Sequence, residues 1–385
     1  DVERSRGLGD VYKRQDLKLN REFFGASPPS IFVGRFGYPN VSVGPLVAYS
    51  VDSQLSDSPN YWISKNLDIS NILKYRTHLI GSVFKQNVKE RGKLWQEVSE
   101  ITLSTKPVDT EVKFKDVPKV RTIFDAYLAP LGLSGKVEKI KVVDNPKIPD
   151  IIYRIYEERI DTEKSIAILM KKFDIYYISR LLSAGILGIK KKIVPTRWSI
   201  TAADSIASDI VLQEVKKFEN IDDIMVYFNS YLDNRFAIIL LPSKWSFELV
   251  EVYIPGCIWL NKNSTIHVVS DCERYMKRDG YAKNTGGAYY AARFSVAEHL
   301  LKIKRQATVI VLRVVGENYW APLGVWVIIE SVKKALSRKP YIAESLNDAI
   351  NHACEMCNVR KEVWINSSKM LREVKEQTKL VEWFP

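Results

Sequence analysis

A crowded series of apolar runs between residues 223 and 259 constrains this chain more than any other feature. The runs read IMVYF, FAIILL, FELVEVYI and CIWL, and only a few polar or turn-forming residues separate them. They are short and rich in β-branched and aromatic residues, which is typical of strands rather than helices. We therefore predict strands in quick succession here, and any fold for the chain must accommodate them.

Strand and helix patterns follow each other irregularly over the rest of the chain. Short runs predict strands at Ile31–Phe36, Val41–Ala48, Val108–Phe114, Val137–Val143, Thr265–Val269 and 308–315. Helical spacing predicts one helix through Ile69–Phe84 and others at 90–101, over most of 150–217, and at 288–304, 324–337 and 344–357. This order predicts an α+β fold, with mixed sheets and flanking helices in a larger N-terminal region, a smaller α/β C-terminal region and a short C-terminal tail.

Two stretches of the chain predict boundaries. The polar, turn-like sequence NKNST at 260–264 separates a predicted N-terminal domain, 16–262, from a C-terminal domain, 263–368, and a tail at 369–385 follows. The stretch RSRGLGDVYKRQ, Arg4–Gln15, resembles translated sequencing adapter. We therefore set residues 1–15 aside from the fold prediction, and the natural start of the protein is left open.

The net charge of the chain limits the classes of binding partner that we expect for it. It carries 57 basic and 45 acidic residues, a formal net charge of +12. This surplus favours nucleic acid, phosphate-rich ligands or an acidic surface, and charge alone does not choose among them. The four cysteines are too few for a disulfide scaffold, and no apolar run approaches the roughly 18 residues that cross a bilayer. We expect a cytoplasmic protein without a membrane segment.

The last residues, QTKLVEWFP, place large apolar side chains where a chain end usually frays. One tight helical turn over 380–384 would put Leu380, Trp383 and Phe384 on one side, with Gln377 one turn earlier. The spacing Q-x-x-L-x-x-W-F resembles the sliding-clamp binding box, the PCNA-interacting motif of replication and repair proteins. The alternative is that the tail docks on its own domain, and we favour clamp binding.

Three long stretches of the body carry a family resemblance. They are FVGRFGYPNVSVGPL at Phe32–Leu46, VPTRWSITAADS at Val194–Ser205 and GGAYYAARFSVAEHLL at Gly286–Leu301. Together they resemble the archaeal Nre family of DNA repair proteins, over nearly the whole chain after residue 20. The resemblance implies an archaeal cytoplasmic protein with an N-terminal Nre region, a smaller C-terminal Nre region and a tail that binds PCNA. It implies no established reaction.

The cysteines bear on a possible metal site. Family members often begin with a cysteine cluster that looks like a zinc-binding finger, whereas this chain has no cysteine before Cys257. The adapter-like start suggests that an upstream piece is missing, so a zinc site there is left open and no cofactor is evident. Cys354 and Cys357 share the apolar stripe of one predicted helix, and His299 that of another. We interpret all three as core residues and predict no metal site.

Basic residues outside the tail are candidates for contact with phosphates or nucleic acid. They are Arg35, Arg180, Lys190, Lys191, Lys192, Arg197, Lys283 and Arg293. Arg35 lies on a predicted strand beside small residues, Gly34 and Gly37, which let a backbone or a ligand approach closely. An arginine held in a structural ion pair is an equally good interpretation.

Residues 161–197 contain a possible helix-turn-helix-like unit, with helices predicted at about 163–171 and 175–184. Arg180 would project from the second helix and Lys190–Lys192 would follow it, which suits backbone phosphates. The alternative is an ordinary helical hairpin with a solvated basic face. We favour the hairpin slightly, because the turn signal is weak.

Two helix starts predict anion sites. Arg197 precedes a helix predicted to begin at Thr201, whose first backbone N–H groups could cradle an anion, although the stretch also has capping-box spacing. Lys283 and Arg293 flank a Thr-Gly-Gly sequence before the 288–304 helix, which is a second possible cradle. It lacks the spacing of a P-loop, which argues against a nucleoside triphosphatase.

Two classes of function follow from these patterns. The first is a DNA repair protein that binds PCNA through its tail and contacts DNA through basic surfaces. The second is an enzyme acting on nucleic acid or a nucleotide-type ligand, in which Arg35, Arg197 and Arg293 line one concave pocket and hold phosphates. No catalytic residue stands out. We rank these functions with PCNA binding through the tail, which we call the tether, first, the repair role second and catalysis third.

Overall fold

The computed structural model describes residues 20–48, 53, 55–123 and 125–373. These residues divide into two compact units, each described here by itself. The first contains the residues up to Ala207 together with Pro322–Gly324. The second contains Ser208–Ala321 and the residues from Val325 onward. No helix of the described residues is long and apolar enough to cross a membrane.

A seven-stranded mixed sheet forms the centre of the first unit. Its strands are β1 (Glu22–Ser27), β2 (Ile31–Val33), β3 (Asn40–Ala48), β4 (Leu79–Asn87), β5 (Val108–Phe114), β6 (Lys119–Ile123) and β7 (Leu131–Val142). Their order is β1-β5-β7-β4-β3-β2, and β6 pairs with β7. Only the β4–β7 pair is parallel among the described strands of this sheet.

Helices of the first unit flank this sheet and begin where the sequence supplies caps. They are α1 (Pro59–Ser64), α2 (Ile69–Thr77), α3 (Lys93–Leu103), α4 (Asp150–Glu157), α5 (Thr162–Leu169), α6 (Ile175–Ser183) and α7 (Thr196–Val215), which continues into the second unit. Asp68, Asp161 and Asp174 each accept a hydrogen bond from a backbone N–H three residues later, and so stabilise the starts of α2, α5 and α6.

A six-stranded mixed sheet forms the centre of the second unit, in the order β11-β10-β12-β9-β8-β13. Its strands are β8 (Ile224–Tyr231), β9 (Asn234–Leu241), β10 (Ser246–Tyr253), β11 (His267–Glu273), β12 (Thr308–Val315) and β13 (Tyr341–Ala343). Its other helices are α8 (Gly287–Ile303), α9 (Trp326–Leu336), α10 (Leu346–Cys357) and α11 (Lys361–Ser367). Both β9 and β12 are buried nearly throughout, which explains why they read as continuous apolar runs.

The predicted α+β fold with two mixed sheets and flanking helices is confirmed. The strands predicted at Val108–Phe114 and 308–315 have the observed bounds. The single helix predicted through Ile69–Phe84 is wrong, because α2 ends at Thr77 and β4 follows directly. The first four residues of β4 are all buried, so this part of the strand lacks the alternation that would have distinguished it from a helix.

Two further strand predictions are corrected. CIWL forms a tight turn, in which the Cys257 N–H donates to the Ile254 carbonyl and the Leu260 N–H donates to the Cys257 carbonyl. Gly256, with φ of 92°, turns the chain there. β2 ends at Val33, so Arg35 lies in the following turn rather than on a strand.

The structure also shows what lies at the predicted boundaries. Residues 260–264 connect β10 to β11, two neighbouring antiparallel strands of one sheet that pair from Tyr253 and His267 onward. Residues 369–373 are helical, and Met370 and Leu371 are buried in the core of the second unit.

Candidate nucleic-acid interface

A tight turn between β2 and β3 exposes aromatic side chains. Gly37 has φ of 83°, and the Asn40 N–H donates to its carbonyl at 2.8 Å. A Cβ on Gly37 would lie 2.9 Å from the Asn40 carbonyl oxygen, so only glycine fits. The turn predicted from Gly-Tyr-Pro-Asn is therefore confirmed. It leaves Phe36 and Tyr38 in solvent, 77% and 51% exposed.

The start of α7 supplies a third exposed ring. The Thr196 hydroxyl accepts a hydrogen bond from the Val33 N–H at 2.8 Å, which holds the first turn of α7 against the end of β2. Trp198 is 47% exposed, and its ring centroid lies 5.8 Å from that of Tyr38. We name Phe36, Tyr38 and Trp198 the aromatic patch. The fold thus joins two stretches that are far apart in the sequence.

A basic groove of about 690 Å³ lies on the same unit. Lys85 from β4, Lys115 and Lys119 from the β5–β6 region and Lys136 from β7 line it, and Asp116 is the acidic residue among its lining residues. All four lysines are exposed. We name this feature the lysine groove.

Backbone packing shapes the groove and connects it to the aromatic patch. Gly135 belongs to the groove lining, and a Cβ there would lie 2.5 Å from the Phe114 ring, so glycine is required. A Cβ on Gly37, in the aromatic turn, would lie 3.8 Å from the Lys85 ammonium group. Lys85 therefore lies beside both features, and they form one continuous surface.

The lysine groove has an unbalanced positive charge. Across the part of the chain that the structure describes, none of its four lysines forms an ion pair, whereas neighbouring Lys113 pairs with Glu22 at 3.9 Å and Glu138 at 3.4 Å. Four ammonium groups face one carboxylate. Such a concave, single-sign surface concentrates anions.

The predicted phosphate contacts of the first unit are only partly available. Arg35 is exposed, and its guanidinium carbon lies 4.9 Å from the Phe36 ring centroid. Arg197 instead pairs with Asp125 at 3.2 Å and stacks over Tyr127 at 3.7 Å, so a structural role is shown for it. The predicted helix start at Thr201 is wrong, because α7 begins five residues earlier.

Arg180 and the three lysines Lys190–Lys192 lie in different surroundings. The helices predicted around Arg180 are confirmed as α5 and α6, and Arg180 pairs with Asp57 at 3.3 Å. Lys190, Lys191 and Lys192 follow α6 and line a small hollow of about 280 Å³. The Lys191 ammonium group lies 3.3 Å from the Tyr156 ring centroid. Burial lowers the pKa of Lys191, and the nearby Arg159 and Arg91 lower that pKa further.

The predicted anion cradle before α8 is already filled. The Asn284 and Thr285 N–H groups donate to Asp271 Oδ2 at 2.9 and 2.8 Å, and the Thr285 hydroxyl donates to the same oxygen. A carboxylate of the chain itself thus takes the place expected for a phosphate. Lys283 is exposed beside this turn.

Arg293 is a correction to the predicted phosphate contacts. It is buried, and its guanidinium pairs with Glu273 and Asp209, each at 2.9 Å. Burial acts to lower the pKa of Arg293, but the two carboxylates outweigh it and raise that pKa above its ordinary value. Since Arg293 and Arg197 are both committed to internal carboxylates, the enzyme hypothesis loses the arginine pocket on which it rested.

The predicted core residues of the second unit are confirmed. Cys357 is fully buried and Cys354 packs against the same cluster, and burial raises the pKa of Cys354 to about 11. His299 has an edge contact with Tyr227, and burial lowers its pKa to about 4. Among the described residues, no group of histidine, cysteine or acidic side chains could hold a metal ion.

The C-terminal motif, Gln377, Leu380, Trp383 and Phe384, lies outside the described residues. The chain leading to it is firmly held. Glu248 accepts hydrogen bonds from the Ser368 hydroxyl at 2.5 Å and from the Lys369 and Met370 N–H groups at 2.9 and 3.0 Å. This buried carboxylate caps the helical turn at 369–373.

Sequence reasoning missed both the lysine groove and the aromatic patch. Lys115 and Lys119 are four residues apart near a predicted strand, and nothing in that spacing shows that Lys85 and Lys136 lie beside them. A weak signal was present in the turn, where two aromatic residues flank a glycine that must sit at the surface.

These features define a two-unit α+β protein with an exposed aromatic and basic surface on its first unit. Comparison with known families makes the class specific. The family described as "Archaeal Nre, N-terminal" matches residues 6–260, and "Archaeal Nre, C-terminal" matches residues 273–383. The chain belongs to the archaeal Nre family, as the sequence resemblance predicted.

Several curated relatives cover most of the chain. A DNA repair protein NreA from Archaeoglobus fulgidus is 39% identical, over 88% of this chain and 86% of its own. A DNA repair protein NreB from the same organism is 34% identical over 95% and 93%, and a DNA repair protein NreA from Haloferax volcanii is 33% identical over 86% and 82%. No solved structure matches this chain significantly.

Proposed function

We propose that this chain is a DNA repair protein that binds the sliding clamp PCNA through its C-terminal motif and contacts DNA through the basic surface of its first unit. The observation that carries the repair role is the likeness to relatives named DNA repair proteins over 86–95% of this chain. The proposal places the protein in the cytoplasm, and it assigns no reaction.

The sequence and the anchoring of the C-terminal segment support the tether. Gln377, Leu380, Trp383 and Phe384 have the spacing of the clamp-binding box, in which an apolar plug enters a groove and the glutamine sets the register. Glu248 fixes the chain at 368–370, only seven residues before Gln377 in the sequence. A motif placed this close to a rigid anchor would deliver the whole protein to the clamp.

The experiment that tests the tether measures binding of the full chain to an archaeal PCNA by calorimetry. We expect a dissociation constant on the order of micromolar, because a few buried side chains must also offset their own ordering cost. Deletion of residues 374–385, or the double change Trp383→Ala and Phe384→Ala, should abolish the heat of binding.

Val381→Ala is the matched control, since Val381 lies within the same segment but outside the motif. It should bind like the parent chain. Undiminished binding by the deletion variant would overturn the tether and leave the repair role resting on the family alone.

A further inference from the structure

We propose that the aromatic patch and the lysine groove together form a binding site for single-stranded DNA. Unpaired bases stack on Phe36, Tyr38 and Trp198, and the phosphates run along the groove beside Lys85. This inference rests on the proposed repair function and deepens it, because it names the form of DNA that the protein binds.

The exposure of the rings is the first argument. Three large aromatic side chains lie at one turn and one helix start with about half or more of their surface in water. Folding gains little from rings in that position, whereas bases stack on exposed rings regardless of sequence. Bases in a duplex are already stacked on each other, so these rings favour unpaired bases.

The charge beside the rings is the second argument. Lys85 lies between the patch and the groove, and the other three lysines continue the positive surface across β7 and the β5–β6 region. Arg35 is also exposed, and its guanidinium lies near the Phe36 ring, so it adds a further positive charge beside the aromatic patch. Exposed rings beside an open groove that is lined by cations suit a single strand, because bases stack on the rings while phosphates follow the positive charge.

The test uses the full chain and a fluorescein-labelled 20-nucleotide oligothymidine, with binding followed by anisotropy at fixed salt. Alanine in place of Phe36, Tyr38 or Trp198 should weaken binding roughly fivefold to a hundredfold each, as expected for loss of one stacked base. Trp198→Phe keeps a ring and should restore most of the affinity. A duplex of the same length should bind less tightly and respond less to these changes.

Matched controls separate a specific site from general charge. Phe24→Ala removes an equally exposed ring of β1, and Lys74→Gln removes an exposed lysine of α2 that is not part of the groove. Neither should change the affinity by more than about twofold. A second readout is photocrosslinking with iododeoxyuridine, which should label the peptides that contain Phe36 or Trp198.

The outcomes distinguish this inference from the tether. If the three alanine variants bind oligothymidine like the parent chain while PCNA binding is intact, the stacking site is wrong and the tether stands. If the alanine variants lose oligothymidine affinity and the 374–385 deletion loses only PCNA binding, both proposals hold. Equal or tighter binding of oligouridine would overturn the choice of DNA, and an acidic peptide that competes at similar charge concentration would overturn the nucleic-acid assignment.

Discussion

The buried arginines of the second unit and the groove lysines of the first unit lie in opposite surroundings. In the second unit Arg293 and Arg313 are buried against the carboxylates of Glu273 and Glu251. In the first unit the lysines of the groove face solvent without an ion pair among the described residues. The first unit also contains paired cations, because Arg76 is buried and pairs with Asp57 at 2.6 Å, and Arg180 and Arg197 pair with Asp57 and Asp125.

The difference shows why net charge is a poor guide to a binding surface. The net charge of the sequence counts every cation equally. A buried arginine that pairs with a carboxylate, however, adds little to the electrostatic potential at the protein surface. What identifies a site is the partner of each cation, and that partner is set by the tertiary structure. Arg197 and Arg293, which were predicted as phosphate contacts, have carboxylate partners within the protein, whereas the sequence prediction did not include Lys85.

The largest expected effect is on Arg293. Arg293→Ala should destabilise the protein by about 3–5 kcal/mol, because it leaves the buried carboxylate of Glu273 without its ion pair, whereas Asp209 keeps its ion pair with Lys277. Arg35→Ala removes an exposed arginine of the first unit and should cost less than about 0.5 kcal/mol. Urea unfolding of both variants measures the difference. Similar free energies of unfolding for the two variants would show that the buried arginine of the second unit contributes no more to stability than the exposed arginine of the first.

The next largest effect is on Glu248, the anchor of the C-terminal segment. Glu248→Ala should cost about 2–3 kcal/mol, since it leaves the Lys369 and Met370 N–H groups without an acceptor. Burial raises the pKa of Glu248, although the hydrogen bonds it accepts offset part of that increase. Glu248→Gln, which keeps one acceptor oxygen, should therefore cost less than alanine. Equal losses in thermal unfolding would show that the hydrogen bonds contribute little.

A smaller effect concerns the pH dependence of the second unit. Burial lowers the pKa of His299 from 6.5 to about 4, with a contribution from Lys302. Between these values the unfolded chain takes up a proton that the folded chain does not. Stability from this group is therefore complete above pH 6.5 and falls toward pH 4, by about 2 kcal/mol.

The matched variants for this titration are His299→Leu and His267→Gln. The first should flatten the fall in unfolding free energy between pH 6.5 and 4, whereas the second changes an exposed histidine of β11 and should leave the fall unchanged. A parent-like pH profile for His299→Leu would mean that other groups cause the acid sensitivity.

Much of the fold was predictable from the sequence because many elements have local signals. The runs that became β9 and β12 are mostly apolar and buried nearly throughout, and the helix at 288–304 has a glycine-rich start. The failures have a physical cause as well. β4 is fully buried at its start, so its residues 79–82 match helical spacing after α2 as well as they match a strand.

The site was less predictable than the fold. Arg35 and the turn around Gly37 were found because glycine and proline act locally. The lysine groove depends on β4 and β7 being parallel neighbours, which is a long-range pairing with no local signal. The pairing of Arg293 with Glu273 depends in the same way on where α8 lies relative to β11.

The smallest expected effect on stability concerns the exposed lysines of the groove in the first unit. Lys85→Gln and Lys119→Gln should each change the unfolding free energy by less than about 0.5 kcal/mol, because these exposed lysines have no ion pair to lose among the described residues. Each should nevertheless flatten the salt dependence of oligothymidine binding, with the slope of log affinity against log salt smaller by about 0.7. Lys74→Gln, on α2, should change neither quantity. A loss of stability without a change in slope would make these lysines structural, like the arginines of the second unit.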